Sequence, residues 1–192
     1  RRILPTRALS RASGGFSSAT GPAALTINGV DRDLAITPDG SRVVYVGNRG
    51  TQLFVRALDA LAPVAVFTGA PRGPFVSPDG QWIGFVDGNT TLKKVAVTGG
   101  PAVTLATLDG NPRGATWAPD DTIVFATSTG AIGLQRVGAS GGPVTVLTRP
   151  DRAQGEADHL WPERLPGGRA VVHDHGHHGR PRCRAGGGAG PA

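Results

Sequence analysis

Phe75-Val76-Ser77-Pro78-Asp79-Gly80-Gln81-Trp82-Ile83-Gly84-Phe85-Val86 reads as two short apolar strands joined by a tight turn. Proline pre-sets the dihedral of the first turn corner. The Asp79 side chain is placed to accept from nearby backbone amides, and Gly80 supplies the left-handed residue that closes the hairpin. The unit recurs. Thr37-Pro38-Asp39-Gly40 leads into Arg42–Val46, and Ala118-Pro119-Asp120-Asp121 leads into Thr122–Phe125. A degenerate copy, Leu165-Pro166-Gly167-Gly168, leads into Arg169–Val172.

The turn prolines stand at 38, 78, 119 and 166, spaced 40, 41 and 47 residues apart. A period of about 40 to 45 residues with several strands per repeat is the signature of propeller blades. The expected fold is therefore all-β, a β-propeller fragment of about three and a half four-stranded antiparallel blades in an incomplete ring. The predicted blades lie near 33–67, 74–105 and 115–147, with a partial blade at 159–172 and the first strand of each innermost. Residues 1–24 read as a linker or lead-in, and a short strand at Ala24–Ile27 is expected to complete the last blade.

Two patterns favour blades over loose hairpins. The strand after each Pro-Asp turn is almost continuously apolar (Val43–Val46, Ile83–Val86, Ile123–Phe125), as a strand buried on both faces requires. Pro63, Pro101 and Pro143 are expected to begin the fourth, outer strands, where a missing ladder donor is tolerated. The longer last interval contains the polar inter-blade loop Arg149–Asp158.

After Val172 the apolar alternation stops, and His, Arg, Gly, Pro and Ala dominate. Residues 173–192 are expected to be a disordered, low-complexity tail, as if the reading frame shifted near His173. The chain has no methionine, which is expected of a processed, excised or incomplete product.

The formal charge of +6 invites a nucleic-acid reading. Residues 31–172, however, hold 13 basic and 13 acidic side chains, and the excess sits at the ends. No nucleic-acid partner is expected of a neutral body. With one cysteine, Cys183, no internal disulfide framework exists.

The repeated motif resembles the WD-repeat-like propellers of bacteria, whose repeats also build TolB-type periplasmic proteins. The likeness rests on the apolar–Ser/Thr-Pro-Asp-Gly unit at Ile36–Val43 and Val76–Ile83. Asp33–Val46, Gly99-Gly100-Pro101, Asn111–Trp117 and Glu156–Gly168 resemble more closely the C-terminal propeller of bacterial membrane serine/threonine protein kinases. The resemblance covers about residues 25–172 and departs from the pattern at Asp121, at Gly167 and after Val172. It implies a ring of six or seven blades outside the cytoplasmic membrane, sensing or binding a protein or small envelope ligand through inter-blade loops. Rival readings are a TolB-like periplasmic scaffold and the propeller of a prolyl-oligopeptidase-type serine peptidase.

No catalytic, cofactor or metal residue is assigned from the sequence. Pro38, Asp39, Gly40, Pro78, Asp79, Gly80, Pro119 and Asp120 are read as structural turn residues, since each aspartate occupies the same place in its own repeat. Ser77–Trp82 comes near the Asp box of sialidase propellers but is one residue too short. His159 beside Glu156 and Asp158 is read as a hydrogen-bonded packing residue. His173, His175, His177 and His178 have metal-ligand types but sit in a glycine-rich tail that supplies no fixed geometry. Trp82, Trp117 and Trp161 are expected in the core, and Asn89-Thr90-Thr91 matches the glycosylation acceptor pattern. No hydrolase elbow, zinc-protease helix, P-loop or kinase signature occurs, so this chain is expected to be non-catalytic and to need no cofactor.

Overall fold

A computed structural model describes residues 23–26, 32–164, 170–175 and 181–186. Its strands form four antiparallel sheets that follow one another along the chain. Blade one holds β1 (Leu34–Ile36), β2 (Arg42–Gly47), β3 (Gln52–Ala57) and β4 (Val64–Thr68). Blade two holds β5 (Pro71–Val76), β6 (Trp82–Asp87), β7 (Thr91–Ala96) and β8 (Val103–Thr107). Blade three holds β9 (Pro112–Trp117), β10 (Thr122–Thr127), β11 (Gln135–Gly138) and β12 (Thr145–Val146). Blade four holds β13 (His159–Arg164), β14 (Ala170–His175) and β15 (Pro181–Gly186). Each sheet is a simple meander in sequence order. The first strands of successive sheets touch, β1 against β5, β5 against β9 and β9 against β13. This is a partial propeller with its first strands innermost.

The core lies between sheets. Val44, Val46 and Leu53 of blade one pack on Ile83, Phe85 and Val95 of blade two. Phe75, Val86 and Leu92 of blade two meet Trp117, Ile123 and Phe125 of blade three. Because side chains alternate along a strand, β6 sends Ile83 and Phe85 to one neighbour and Val86 to the other. Its unbroken apolar sequence follows from that double burial. Gly84 completes the strand, since a Cβ there would lie 2.2 Å from the Phe75 ring.

Several sequence boundaries are corrected. The fourth strands begin at Val64, Val103 and Thr145, one or two residues after Pro63, Pro101 and Pro143. A proline before the strand leaves every ladder amide in place. The first strands start earlier than expected, at Pro71 and Pro112, because each continues through a bulge. Leu25 forms an isolated antiparallel bridge with Gly47, and Thr26 N donates to Val46 O at 2.9 Å. The leader therefore extends the inner lane of blade one and does not complete the last blade. Residues 1–22, the bulk of the expected linker, lie outside the described residues.

The tail also departs from expectation. Residues 173–175 end β14, and residues 181–186 form β15, paired in register from Ala170↔Gly186 to His175↔Pro181. A ladder is made by main-chain groups, so it does not require the apolar alternation that stops at Val172. Proline at the first position of β15 is compatible with a strand start. Residues 176–180 and 187–192 lie outside the described residues, and with them the expectations for His177 and His178.

Candidate functional site: the inner-strand cavity

Counting back from each turn proline aligns the inner strands. Five residues before it stand Asp33, Gly73, Gly114 and Trp161; six before it stand Arg32, Arg72, Arg113 and Leu160. In blades two, three and four the register with the second strand shifts at this place, between Arg72 and Phe75, Pro112 and Ala115, and Leu160 and Glu163. Each shift inserts one extra residue, a β-bulge that bends the strand and re-aims its side chains.

The bulge needs a left-handed residue. Gly73 (φ 53) and Gly114 (φ 92) supply it without strain, whereas blade four places Trp161 there at φ 52. A bulky residue in this region is an outlier, and the left-handed conformation costs roughly 1–2 kcal/mol. Backbone strain of this kind is concentrated at functional sites. Gly114 is required for a second reason: a Cβ there would sit 2.9 Å from the Trp161 Cα.

The bulges surround a cavity of about 380 Å³ whose wall includes Arg32, Arg72, Phe75, Trp161, Pro162 and Glu163. This volume falls at the lower end of the roughly 300–1,000 Å³ typical of ligand sites. Arg32 of blade one forms an ion pair with Glu163 of blade four across the cavity; both side chains are partly exposed. Arg72 donates to the Asn89 side-chain carbonyl, and Arg113 Nη1 donates to Pro112 O at 3.0 Å. Asn89, the potential glycosylation acceptor, is thus engaged from its exposed turn. Trp117 is core, Trp82 is half-buried beneath the Lys94 ammonium at 4.4 Å, and Trp161 lines the cavity. Core packing therefore accounts for Trp117 but not for Trp161.

The turn residues lie away from this cavity. Thr37 Oγ1 donates to Asp39 Oδ1 at 2.6 Å, and the Ser41 amide and hydroxyl donate to the same carboxylate. The Thr37 hydroxyl first, then Ser41, hold the Asp39 carboxyl well below its ordinary value of 3.8. Asp79 accepts from Ser77 Oγ and from Gln81 N, at 3.0 Å, and its carboxyl is lowered mainly by the Ser77 hydroxyl. Asp120 accepts from Thr122 N at 3.3 Å and from Thr122 Oγ1 at 2.7 Å. Pro38, Pro78 and Pro119 are exposed at the turn corners, with Gly40 (φ 70) and Gly80 (φ 71) at the left-handed positions.

His159 Nε2 lies 3.1 Å from Glu156 Oε2, and its Nδ1 lies 2.8 Å from Thr148 Oγ1. Glu156 also accepts from Asp151 N at 2.7 Å, and Thr148 Oγ1 accepts from Leu134 N at 2.8 Å. With Glu156 and Thr148 each accepting from a main-chain amide and His159 joining them, this network clamps the inter-blade loop onto blade three. Asp158 takes no part in it. Among the described residues no group of three His, Cys, Asp or Glu side chains is placed to hold a metal ion. No helix among them is long and apolar enough to cross a membrane.

No protein-family model and no curated protein sequence matches the chain. Solved structures do. A TolB-type protein from Agrobacterium tumefaciens superimposes with a TM-score of 0.65 at 19% identity, over 81% of this chain and 59% of that one. A chain of a nidogen/laminin complex gives 0.62 at 16% identity, over 79% of this chain and 59% of that one. An oligogalacturonate lyase in complex with manganese gives 0.61 at 14% identity, over 81% and 50%. At such identities the likeness is one of fold, that of TolB-like β-propellers. The chain spans between half and about three-fifths of the length of these neighbours.

Proposed function

We propose that this chain is a non-catalytic binding module, part of the extracytoplasmic sensor propeller of a bacterial receptor-type serine/threonine protein kinase. The observation that carries the binding role is the inner-strand cavity with Trp161 at a left-handed position where two sister blades use glycine. A sequence selected for stability alone would place glycine there too; strain retained beside a cavity points to an occupant. The fold supports a scaffold role, because propellers hold variable surfaces on a shared framework. One similarly folded chain belongs to a nidogen/laminin complex, which agrees with a protein as partner. The kinase assignment rests on the resemblance of the stretches around Asp33–Val46 and Asn111–Trp117, and the extracytoplasmic location rests on that assignment.

Trp161→Gly separates binding from folding. It relieves strain, so the variant is expected to be at least as stable in urea, while capture of an envelope protein by the immobilised chain falls sharply. Unchanged capture would refute the cavity as the binding face. The parent gene tests the second half: a kinase domain and a membrane helix upstream are expected. A downstream hydrolase domain, or a signal peptide alone, would favour the peptidase or free periplasmic reading instead.

A further inference from the structure

We propose that the bulge of blade two seats an uncharged aromatic side chain of the bound partner over Gly73, as Trp161 sits over Gly114. This rests on the cavity being the binding face. The first observation is a contact between neighbouring blades. A Cβ at Gly114 of blade three would lie 2.8 Å from Trp161 Cε3 and 3.4 Å from Pro162 Cδ, both of blade four. The bulge position of blade three thus receives the side chain of the same position in the next blade. In an array of like units such a relation recurs from one interface to the next. Carried back one blade, the residue that would cover Gly73 is Gly114, which has no side chain. A Cβ at Gly73 would meet no heavy atom within 4 Å.

The second observation is where that open position lies. Gly73, Pro74, Gly114, Trp161 and Pro162 all line the one cavity. The register shift between Arg72 and Phe75 sets the bulge of blade two at Gly73, and a glycine lets a ligand approach the main chain closely. Trp161 on Gly114 is therefore the molecule's own example of a ring laid on a bulge glycine, and Gly73 repeats the surface without the ring.

The rest of the wall decides the ligand class. Its charged side chains among the described residues are already engaged, Arg32 with Glu163 and Arg72 with Asn89. An ionised group would shed its water here without meeting a partner that is not already taken. A glycine beside a proline ring is a flat surface, which a planar ring covers more fully than a branched aliphatic chain does. Aromatic side chains also bury large areas and gain from contact with a second ring such as that of Trp161. The volume of about 380 Å³ admits a side chain but not a folded element.

The test titrates the isotope-labelled 192-residue chain with the N-acetyl amides of tryptophan, leucine and aspartate, read by NMR. The tryptophan amide is expected to bind with a Kd of about 0.1–1 mM, the scale for so small a ligand, and to shift the amides of Gly73 and Phe75. It should bind roughly fivefold more tightly than the other two, the scale of an aromatic contact beyond its buried area. Gly73→Asn should weaken it by about the same factor or more, because asparagine tolerates the left-handed backbone while its side chain occupies the open position. Gly88→Asn is the control. Gly88 has a similar φ of 65 and equal space, but it lies in the turn after β6, outside the cavity wall, so binding should not change. Equal weakening by the two variants overturns the inference, and so does binding of the leucine or aspartate amide as tight as that of the tryptophan amide. Absence of shifts at Gly73 and Phe75 in the unaltered chain overturns it too, whether or not Gly73→Asn folds. Capture lost with Trp161→Gly but no binding of the tryptophan amide would leave the binding face standing and remove the aromatic seat. Unchanged capture with Trp161→Gly would remove the binding face itself, and the inference with it.

Discussion

The turns of blades two and three perform the same task with different chemistry. In blade two the loop between Ser77 and Trp82 has four residues. The buried Ser77 hydroxyl accepts from Trp82 N at 2.9 Å and donates to Asp79, so one side chain ties both sides of the turn together. Blade one repeats this with Thr37, Arg42 N at 3.0 Å and Asp39. In blade three the loop is one residue shorter, although Ala118 N donates to Thr122 O at 2.8 Å just as Ser77 N donates to Trp82 O at 2.9 Å. There is no hydroxyl at 118, and Asp121 takes the left-handed position at φ 61. Its carboxylate accepts from Trp117 Nε1 at 3.0 Å, replacing the lost bridge with one to the core. Loops of four and three residues are both ordinary hairpin solutions, the shorter one ending in a left-handed residue. The period is thus preserved by the strands, and each turn finds its own hydrogen bonds.

Four measurements press on this contrast. Ser77→Ala should have the largest effect, because it strands the Trp82 amide; a loss of about 1–3 kcal/mol is expected by urea denaturation. Asp121→Ala should cost about 1 kcal/mol, since the Trp117 indole loses its acceptor while the backbone strain remains. Asp121→Gly should recover most of that by relieving the strain. Ala118→Ser should change stability by less than about 0.5 kcal/mol, because the shorter loop offers the new hydroxyl no equivalent amide. A gain well above that would show that the hydroxyl bridge is independent of loop length.

The smallest effect is that of acid. Asp39 and Asp79 have carboxyls held below 3.8 in the folded chain by the Thr37 and Ser77 hydroxyls. Their contribution is therefore complete above that value and is lost as pH falls further. Both carboxylates are exposed, so the change should be slight. Amide exchange at Ser41 and Gln81, followed from about pH 5 to pH 2, should show earlier loss of protection in Thr37→Ala and Ser77→Ala.

Much of this was legible from the sequence. The Pro-Asp turns gave the period, and the unbroken apolar runs of β2, β6 and β10 gave double burial. The cavity was not legible, for identifiable reasons. Its arginines are isolated in the sequence, and only counting back six residues from each turn proline shows them in one phase. Trp161 reads as a core tryptophan until the register shift beside it is seen, because its conformation is a property of the backbone. Strand β15 was missed because its residues carry no apolar alternation, although main-chain pairing does not demand one. The split inner lane of blade one, with Leu25 bridged to Gly47, depends on a pairing that no local pattern announces.

The bridge between Ser77 and Trp82 joins positions five apart in the chain, and it therefore bears on the order in which the molecule assembles. Hairpins close in about 1–10 μs, while the docking of β9 on β13 must bring together segments some 47 residues apart. Each turn can form before any blade finds its neighbour. Ser77→Ala should then act chiefly on the folding rate, with a φ-value well above one half. Gly114→Ala, which disturbs the approach of Trp161, should act chiefly on the unfolding rate. The repeated turn is a timing device as well as a fastening, setting each blade in place before the ring is drawn together.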